Sequence, residues 1–315
     1  LSSKLNKDVL LIYQYFKDDF SIEGFLNQSD VILLENLRFY SEEKENDLNF
    51  AKKLASMADI YVNNAFGTCH RAHASTNSII KFSKNYCIGD LVNDELNNIN
   101  KVLFDENKPF TAILGGAKVS DKINVIEKLI DLVDNIIIGG AMANTFIKSK
   151  GGNIGKSLFE EDNLSVANSL IEKAEKQNVK IYLPEDLVCS KSIDNYNTKI
   201  FNSYDLPVEY SGFDVGYKSI NTFKEVIKRS KKIIWNGPMG VFEIDAFSKG
   251  TFEICNSVTE ATKKGAFSLV GGGDSVSAVK KNNQENNISF ISTGGGALLE
   301  YISNGTLASL ELLKN

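Results

Sequence analysis

Five apolar, strand-like runs in this chain end in glycine, and that recurrence narrows the folds open to it. Ala112-Ile113-Leu114 leads into Gly115-Gly116-Ala117-Lys118, Ile136-Ile137-Ile138 into Gly139-Gly140-Ala141, and Ile233-Ile234-Trp235 into Asn236-Gly237-Pro238-Met239-Gly240. Ser268-Leu269-Val270 leads into Gly271-Gly272-Gly273-Asp274-Ser275, and Phe290-Ile291-Ser292-Thr293 into Gly294-Gly295-Gly296-Ala297. Glycine after a strand lets backbone N–H groups approach a phosphate, and a helix beginning there adds its positive dipole end. One such turn is weak evidence. Five in the C-terminal two-thirds point to one ligand face built from the ends of several strands.

The segments between these runs have helical spacing. Ile123, Ile126, Leu129-Ile130 and Val133 share one face, as do Leu164, Ala167, Leu170-Ile171 and Ala174, and Thr222–Arg229 reads as a further helix. Ser157-Leu158-Phe159-Glu160 matches a capping box leading to the second of these. Val179–Leu183 reads as another strand, and the polar stretch Asp186–Tyr210 as a hairpin excursion. Such βαβα alternation predicts an open, largely parallel sheet with helices on both faces and ligands outside the carboxyl ends of the strands.

Upstream, Val9–Tyr13, Val31–Leu34 and Ile60–Val62 read as strands, the second as a buried apolar run, and Asp47–Met57 as a helix. Leu91–Phe104 reads as a mostly polar helix with apolar positions at Leu96, Ile99 and Leu103, a connector packed lightly on both sides. A domain boundary is expected there, and 315 residues suffice for two domains.

Composition excludes several classes. A net charge of −5 with no long basic run argues against nucleic acid as a partner. No apolar stretch approaches a membrane span, and the N-terminus lacks a signal-peptide pattern. Cys69, Cys87, Cys189 and Cys255 are scattered without C-x-x-C spacing, which suits a reducing cytosol. Of 35 basic residues only Arg38, Arg71 and Arg229 are arginine, so each is a candidate for a task that needs a planar fork.

Lys118 and Lys122 stand four apart at the mouth of a helix, where cations are unfavourable unless an anion or Asp121 offsets them. The bland alternative is a pair of solvated surface lysines. Neither the P-loop pattern nor G-x-G-x-x-G is present here. Asp274 or Ser275 either caps a helix or, beside a phosphate, Asp274 holds Mg²⁺. Both histidines, His70 and His73, flank Arg71. A metal pair there lacks a third ligand nearby, and a basic pocket for an anionic substrate, with Arg38, is the better reading.

Taken together, these segments resemble phosphoglycerate kinases over essentially the whole chain, in order. The resemblance rests on Leu33-Leu34-Glu35-Asn36-Leu37-Arg38-Phe39, Ala65-Phe66-Gly67-Thr68, His70-Arg71-Ala72-His73 and Ile113-Leu114-Gly115-Gly116-Ala117-Lys118-Val119. It continues through Asp121-Lys122, Trp235-Asn236-Gly237-Pro238, Gly240-Val241-Phe242-Glu243, Gly271-Gly272-Gly273-Asp274 and Ser292-Thr293-Gly294-Gly295-Gly296-Ala297. It implies two doubly wound, Rossmann-like parallel-sheet domains joined by a helix, the N-terminal one incomplete. Residues 1–90 would bind phosphoglycerate, with 302–315 returning to them. Residues 91–108 would form the hinge, and 109–301 would bind Mg-nucleotide.

The implied reaction is reversible, direct in-line phosphoryl transfer between 1,3-bisphosphoglycerate and ADP after domain closure, giving 3-phosphoglycerate and ATP, by a cytoplasmic monomer. By the same resemblance Arg38, Arg71 and His70 would hold phosphoglycerate, and Lys118, Gly273 and Gly296 would be catalytic. Gly116, Ala117, Lys122, Gly140, Asn236, Pro238, Glu243, Gly272, Gly273, Asp274 and Ser275 would bind ATP or ADP, with Asp274 on the Mg²⁺ side. Gly294–Gly296 would support substrate phosphates.

Departures from the family pattern are Asn64 for Asp, Ala141 for Gly, Ser275 for Thr and Leu298 for a small hydroxyl residue. A preceding family segment, with a strand carrying Asp and Asn, an Arg and a His-Leu-Gly-Arg turn, does not occur in this chain. The chain alone is therefore expected to bind Mg-ADP but turn over little substrate. The alternatives are a catalytically impaired nucleotide-binding fragment and an unrelated Rossmann-type binding protein, which would leave Arg38 and Arg71 unexplained.

Overall fold

The computed structural model describes residues 1–16 and 20–313. The chain divides into two compact units, Leu1–Asn93 with Thr306–Asn315, and Asp94–Gly305.

In the first unit, β1 (Val9–Ile12) pairs in parallel with β2 (Val31–Leu34), and β3 (Ile60–Asn63) with β4 (Asn85–Ile88). The helix α1 (Leu48–Ala55) starts where Asp47 accepts the Phe50 N–H at 2.7 Å, a side-chain cap. Phe50, Ala51 and Leu54 are buried against Ile79 and Ile80, and Phe16 stacks on Phe50 with ring centroids 4.1 Å apart. The C-terminal segment belongs to this unit: Ser309 N–H donates to the Cys69 carbonyl, and Asn77 donates to the Ala308 carbonyl.

The expectation of a buried β2 fails. Leu34 packs against the core, but Leu33 is 45% exposed and its register partner Leu11 is exposed as well. Side chains alternate across a strand, and this two-stranded sheet has only one covered face.

The division between units falls inside α2 (Asp90–Phe104). Asn64 Oδ1 accepts the Leu91 N–H at 2.9 Å and so serves the start of this helix. The helix is less lightly packed than its sequence predicts. Ile99, Val102 and Leu103 are buried, and so is Glu95. That carboxylate accepts Ser292 Oγ, Thr293 N–H and Thr293 Oγ1 at 2.6–2.7 Å, which is how a polar helix face can be buried.

The second unit is organised by one six-stranded parallel sheet. Its strands are β5 (Phe110–Leu114), β6 (Asn135–Ile138), β7 (Lys180–Tyr182), and, after an excursion, β11 (Lys232–Asn236), β12 (Phe267–Gly271) and β13 (Phe290–Ile291). The excursion supplies β8 (Asp186–Ser190), β9 (Lys199–Asn202) and β10 (Ser211–Val215), a separate antiparallel sheet in the order β9-β8-β10. The large sheet runs β13-β12-β11-β5-β6-β7, the doubly wound order with its reversal between β5 and β11. All five glycine-ended runs are adjacent strands of this sheet.

Ile113, Trp235, Ile137 and Val270 point to one face and pack with Phe223 and Ile227 of α6 (Tyr217–Arg229) and Ile254 and Val258 of α7 (Lys249–Lys263). The alternate residues Ala112, Leu114, Ile136, Ile138, Ile234 and Leu269 are equally buried, as a sheet covered on both faces requires. The remaining helices used below are α3 (Ile123–Ile130), α4 (Met142–Ser149), α5 (Leu164–Lys176), α8 (Gly273–Lys281) and α9 (Gly296–Asn304).

Candidate active site

The glycine turns after β5, β6 and β11 pack on one another. Gly115 N–H donates to the Asn236 carbonyl, Gly116 N–H to Pro238 and Gly140 N–H to Met239. Gly237 has φ +102°, and a Cβ there would lie 2.2 Å from the Gly115 carbonyl oxygen. These N–H groups are therefore committed within the protein. The glycines serve close approach of loops at the sheet's reversal, so the N–H groups of Gly115, Gly116 and Gly140 point to neighbouring turns.

Free donors come instead from helix starts: the first-turn N–H groups of α8, at Gly273, Asp274 and Ser275, lack acceptors inside the helix. Neither Asp274 nor Ser275 caps α8. Ser275 is buried and its Oγ accepts the Gly237 N–H at 2.6 Å. Asn236 is likewise buried and donates to the Gly271 carbonyl at 2.9 Å. Both tie one turn to the next.

Beside this platform is a cavity of about 430 Å³. Gly116, Ala117, Gly140, Pro238, Glu243 and Asp274, all singled out in the sequence, line it. So do Leu158, Leu187, Ile193, Gly212, Phe213, Met239 and Val241, which give it a mainly apolar wall. An apolar slot that opens towards helix starts and lysines suits a flat heterocycle carrying phosphates.

Lys122 is half-buried, with Nζ close to Gly116. Burial lowers its pKa, and Asp121 and Asp274 oppose that shift. Lys118 is exposed on the turn before it. Asp274 offers a hard carboxylate in the first turn of α8, and among the described residues no group of three His, Cys, Asp or Glu stands together. A single carboxylate fits Mg²⁺ whose other ligands are nucleotide phosphates and water, and does not fit an all-protein metal cage.

In the first unit, burial lowers the His73 pKa. Glu43 opposes this, while the positive fields of Arg38, Arg71 and His70 add to it, so all three lie close enough to act on His73. Arg38 and Arg71 are exposed. Arg71 Nε donates to His70 Nε2 at 3.2 Å. Glu43 is buried and binds Ser75 through both carboxylate oxygens, which anchors the segment carrying these side chains. The cluster gathers positive charge that attracts anions.

The sequence model of the family described as phosphoglycerate kinase matches residues 1–305. A phosphoglycerate kinase of Finegoldia magna is 50% identical over 99% of this chain and 79% of its own length. The chain belongs to the phosphoglycerate kinase family. The cytosolic phosphoglycerate kinase 3 of Arabidopsis thaliana is 48% identical, over 90% of this chain and 71% of its own. The structure of phosphoglycerate kinase from Coxiella burnetii matches at 39% identity and TM-score 0.87, covering all of this chain and 79% of that one. That from Pyrococcus horikoshii matches at 27% and 0.81, covering all of this chain and 80% of that one.

As a phosphoglycerate kinase the chain is a phosphotransferase of glycolysis, with 3-phosphoglycerate and ATP or ADP as substrates. The departures from the family pattern have structural answers. Leu298 is fully buried and points away from solvent, its Cδ2 occupying the place where a Cβ on Gly271 would be. Asn64 serves α2, as described above, and Ala141 lines the cavity.

Sequence reasoning missed the β10 residues Ser211–Asp214 and Leu158 as cavity lining, because nothing local to a hairpin excursion says which wall it completes. It also misread Glu160. That residue closes no capping box. Its carboxylate accepts the Val119 and Ser120 N–H groups at 2.6 and 3.0 Å, and Ser157 instead receives the Gly212 N–H.

Proposed function

We propose that the second unit binds Mg-ADP or Mg-ATP and the first binds phosphoglycerate, with the phosphoryl group passing directly between them. The cavity beside Gly116 and Gly140 takes the adenine, and Glu243 faces the ribose. The α8 start and Lys122 take the phosphates, with Gly272 and Gly273 allowing backbone approach. Asn236 and Ser275 act through the turns they hold. Asp274 with the nucleotide phosphates holds Mg²⁺, which when bound neutralises phosphate charge. Gly295 and Gly296, at the start of α9, present N–H groups to substrate phosphate, while the Gly294 N–H is taken by Ser292 Oγ and shapes the turn. Arg38, Arg71 and His70 hold the phosphoglycerate anion, and the positive field they set up together at His73 supports this reading. Pro238 fixes the cavity edge.

Lys118 acts on the migrating phosphoryl group. Phosphoryl transfer asks for positioning and cations more than for a nucleophilic side chain, and Lys118 is an exposed cation on the turn beside the nucleotide cavity. The observation that carries this reading is the convergence of the cavity, the α8 start and two lysines at the sheet's reversal. The working place is the cytoplasm, in keeping with four unpaired cysteines, and the working unit a monomer.

In the full-length enzyme, Lys118→Ala is expected to cut kcat by about 10²-fold while the Kd for Mg-ADP changes little. Steady-state kinetics beside calorimetry tests this. Equal losses in both would leave Lys118 a binding role only.

A further inference from the structure

We propose that Glu160 is a positioning residue for phosphoryl transfer, fixing the turn that carries Lys118 and tying it to the wall of the nucleotide cavity. This rests on the assignment of Lys118 above. One carboxylate takes three donors from two consecutive residues: Val119 N–H at 2.6 Å and Ser120 N–H at 3.0 Å on Oε2, and Ser120 Oγ–H at 2.6 Å on Oε1. Those two N–H groups open the helical turn Ser120–Lys122, Val119 at its N-cap and Ser120 its first residue, and Glu160 is the acceptor that satisfies them. The Val119 side chain is fully buried. The peptide that follows Lys118 is therefore held from both sides, by the core and by Glu160.

Glu160 is itself fixed. Its N–H donates to Thr145 Oγ1 at 3.1 Å, and two residues before it the Leu158 carbonyl accepts from Asn144, the neighbour of Thr145, at 3.0 Å. Asn144 and Leu158 both line the cavity. Residues 158–160 thus run from the apolar wall to the Lys118 turn. Burial raises the Glu160 carboxyl, but the Ser120 and Val119 hydrogen bonds and the Lys118 charge outweigh it, so the group is held below the ordinary glutamate range. It is an anion wherever the enzyme works. Its hydrogen bonds go to the turn's backbone, which sets where the Lys118 side chain starts, and the ammonium is left available for substrate.

The test is made by kinetics in the full-length enzyme. Glu160→Ala is expected to lower kcat by about ten- to a hundredfold, with the KM for ADP within about threefold of the parent, because misplacing a group by an ångström costs rate more than binding. Glu160→Gln is expected to recover most of the rate, since its amide oxygen can accept both N–H groups and its NH₂ can donate to Ser120 Oγ. In a Lys118→Ala background, Glu160→Ala is expected to cost nothing further. Should Glu160→Ala not fold, Glu160→Asp replaces it with the same expectation, being one methylene too short to reach both N–H groups. An unchanged kcat in the folded variant, or a full additional loss in the Lys118→Ala background, overturns the inference. An unchanged kcat in Lys118→Ala alone would instead bring down the lysine assignment on which it rests.

Discussion

Asp214 shows how much one residue can depend on its surroundings. It lines the cavity beside Gly116 and Gly140 from β10, is 2% exposed, and its Oδ2 accepts the Gly250 N–H at 2.6 Å at the start of α7. Its Oδ1 has no partner and lies 2.3 Å from where a Cβ would stand on Gly240 or Gly250. Burial raises this carboxyl to about 7, against the lowering effect of hydrogen bonds from Gly250 and Val215. A carboxyl whose folded pKa is raised stabilises the fold below its unfolded value, and that contribution is lost as pH rises through the folded value. Between about pH 4 and 7 Asp214 is therefore expected to lower stability by up to about 1.4 kcal/mol per pH unit. Asp214→Asn should flatten the pH dependence of urea unfolding across that window. Parallel profiles for parent and variant would mean that Asp214 is ionised in the fold. Nothing in the local sequence Gly212-Phe213-Asp214-Val215 announces this, because burial is conferred by Gly240 and Gly250 from elsewhere in the chain.

At the scale of elements, apolar strands that read alike are used differently. Val31–Leu34 and Ala112–Leu114 are both apolar runs, yet Leu33 is exposed while Ile113 is fully buried between Ile137 and Trp235 in register. Ile113→Ala is expected to cost about 2–5 kcal/mol, the range for truncating a well-packed core residue. The single tryptophan, Trp235, reports on that unit, so its fluorescence should show the loss as a lower urea midpoint. Leu33→Ala should leave the Trp235 transition in place and cost about 1 kcal/mol or less, since nearly half of its surface stays in water and no packed cavity is left behind. A shift of the Trp235 midpoint by Leu33→Ala would contradict the separation of the two cores. Helices were more legible than strand burial. The spacing at Ile126, Leu129 and Ile130 marks the buried stripe of α3 directly, because a helix face is a local property.

On the scale of the whole molecule, the two units are expected to respond differently to nucleotide. At about a hundred times its Kd, Mg-ADP stabilises what binds it by about 2.7 kcal/mol. Amide hydrogen exchange should slow by a corresponding factor in the strands of Asp94–Gly305, while β1–β4 change little. Protection confined to β1–β4 would reverse the assignment of substrates to units.

The sequence by itself determined the parallel α/β class and the five glycine-ended strands, and it singled out Gly116, Ala117, Gly140, Pro238, Glu243 and Asp274 of the cavity lining. The class and the strands follow from local rules, alternation, helical spacing and the conformational freedom of glycine, whereas most of the cavity residues follow from the resemblance to phosphoglycerate kinases. Tertiary structure alone decided that the N–H groups of Gly115, Gly116 and Gly140 face neighbouring turns, not a ligand. It also decided that Glu160 serves the Lys118 turn in place of its own helix, and that β10 walls the cavity beside Gly116 and Gly140. Those outcomes depend on which distant backbone comes within hydrogen-bonding distance, and a chain's periodicity carries no record of that.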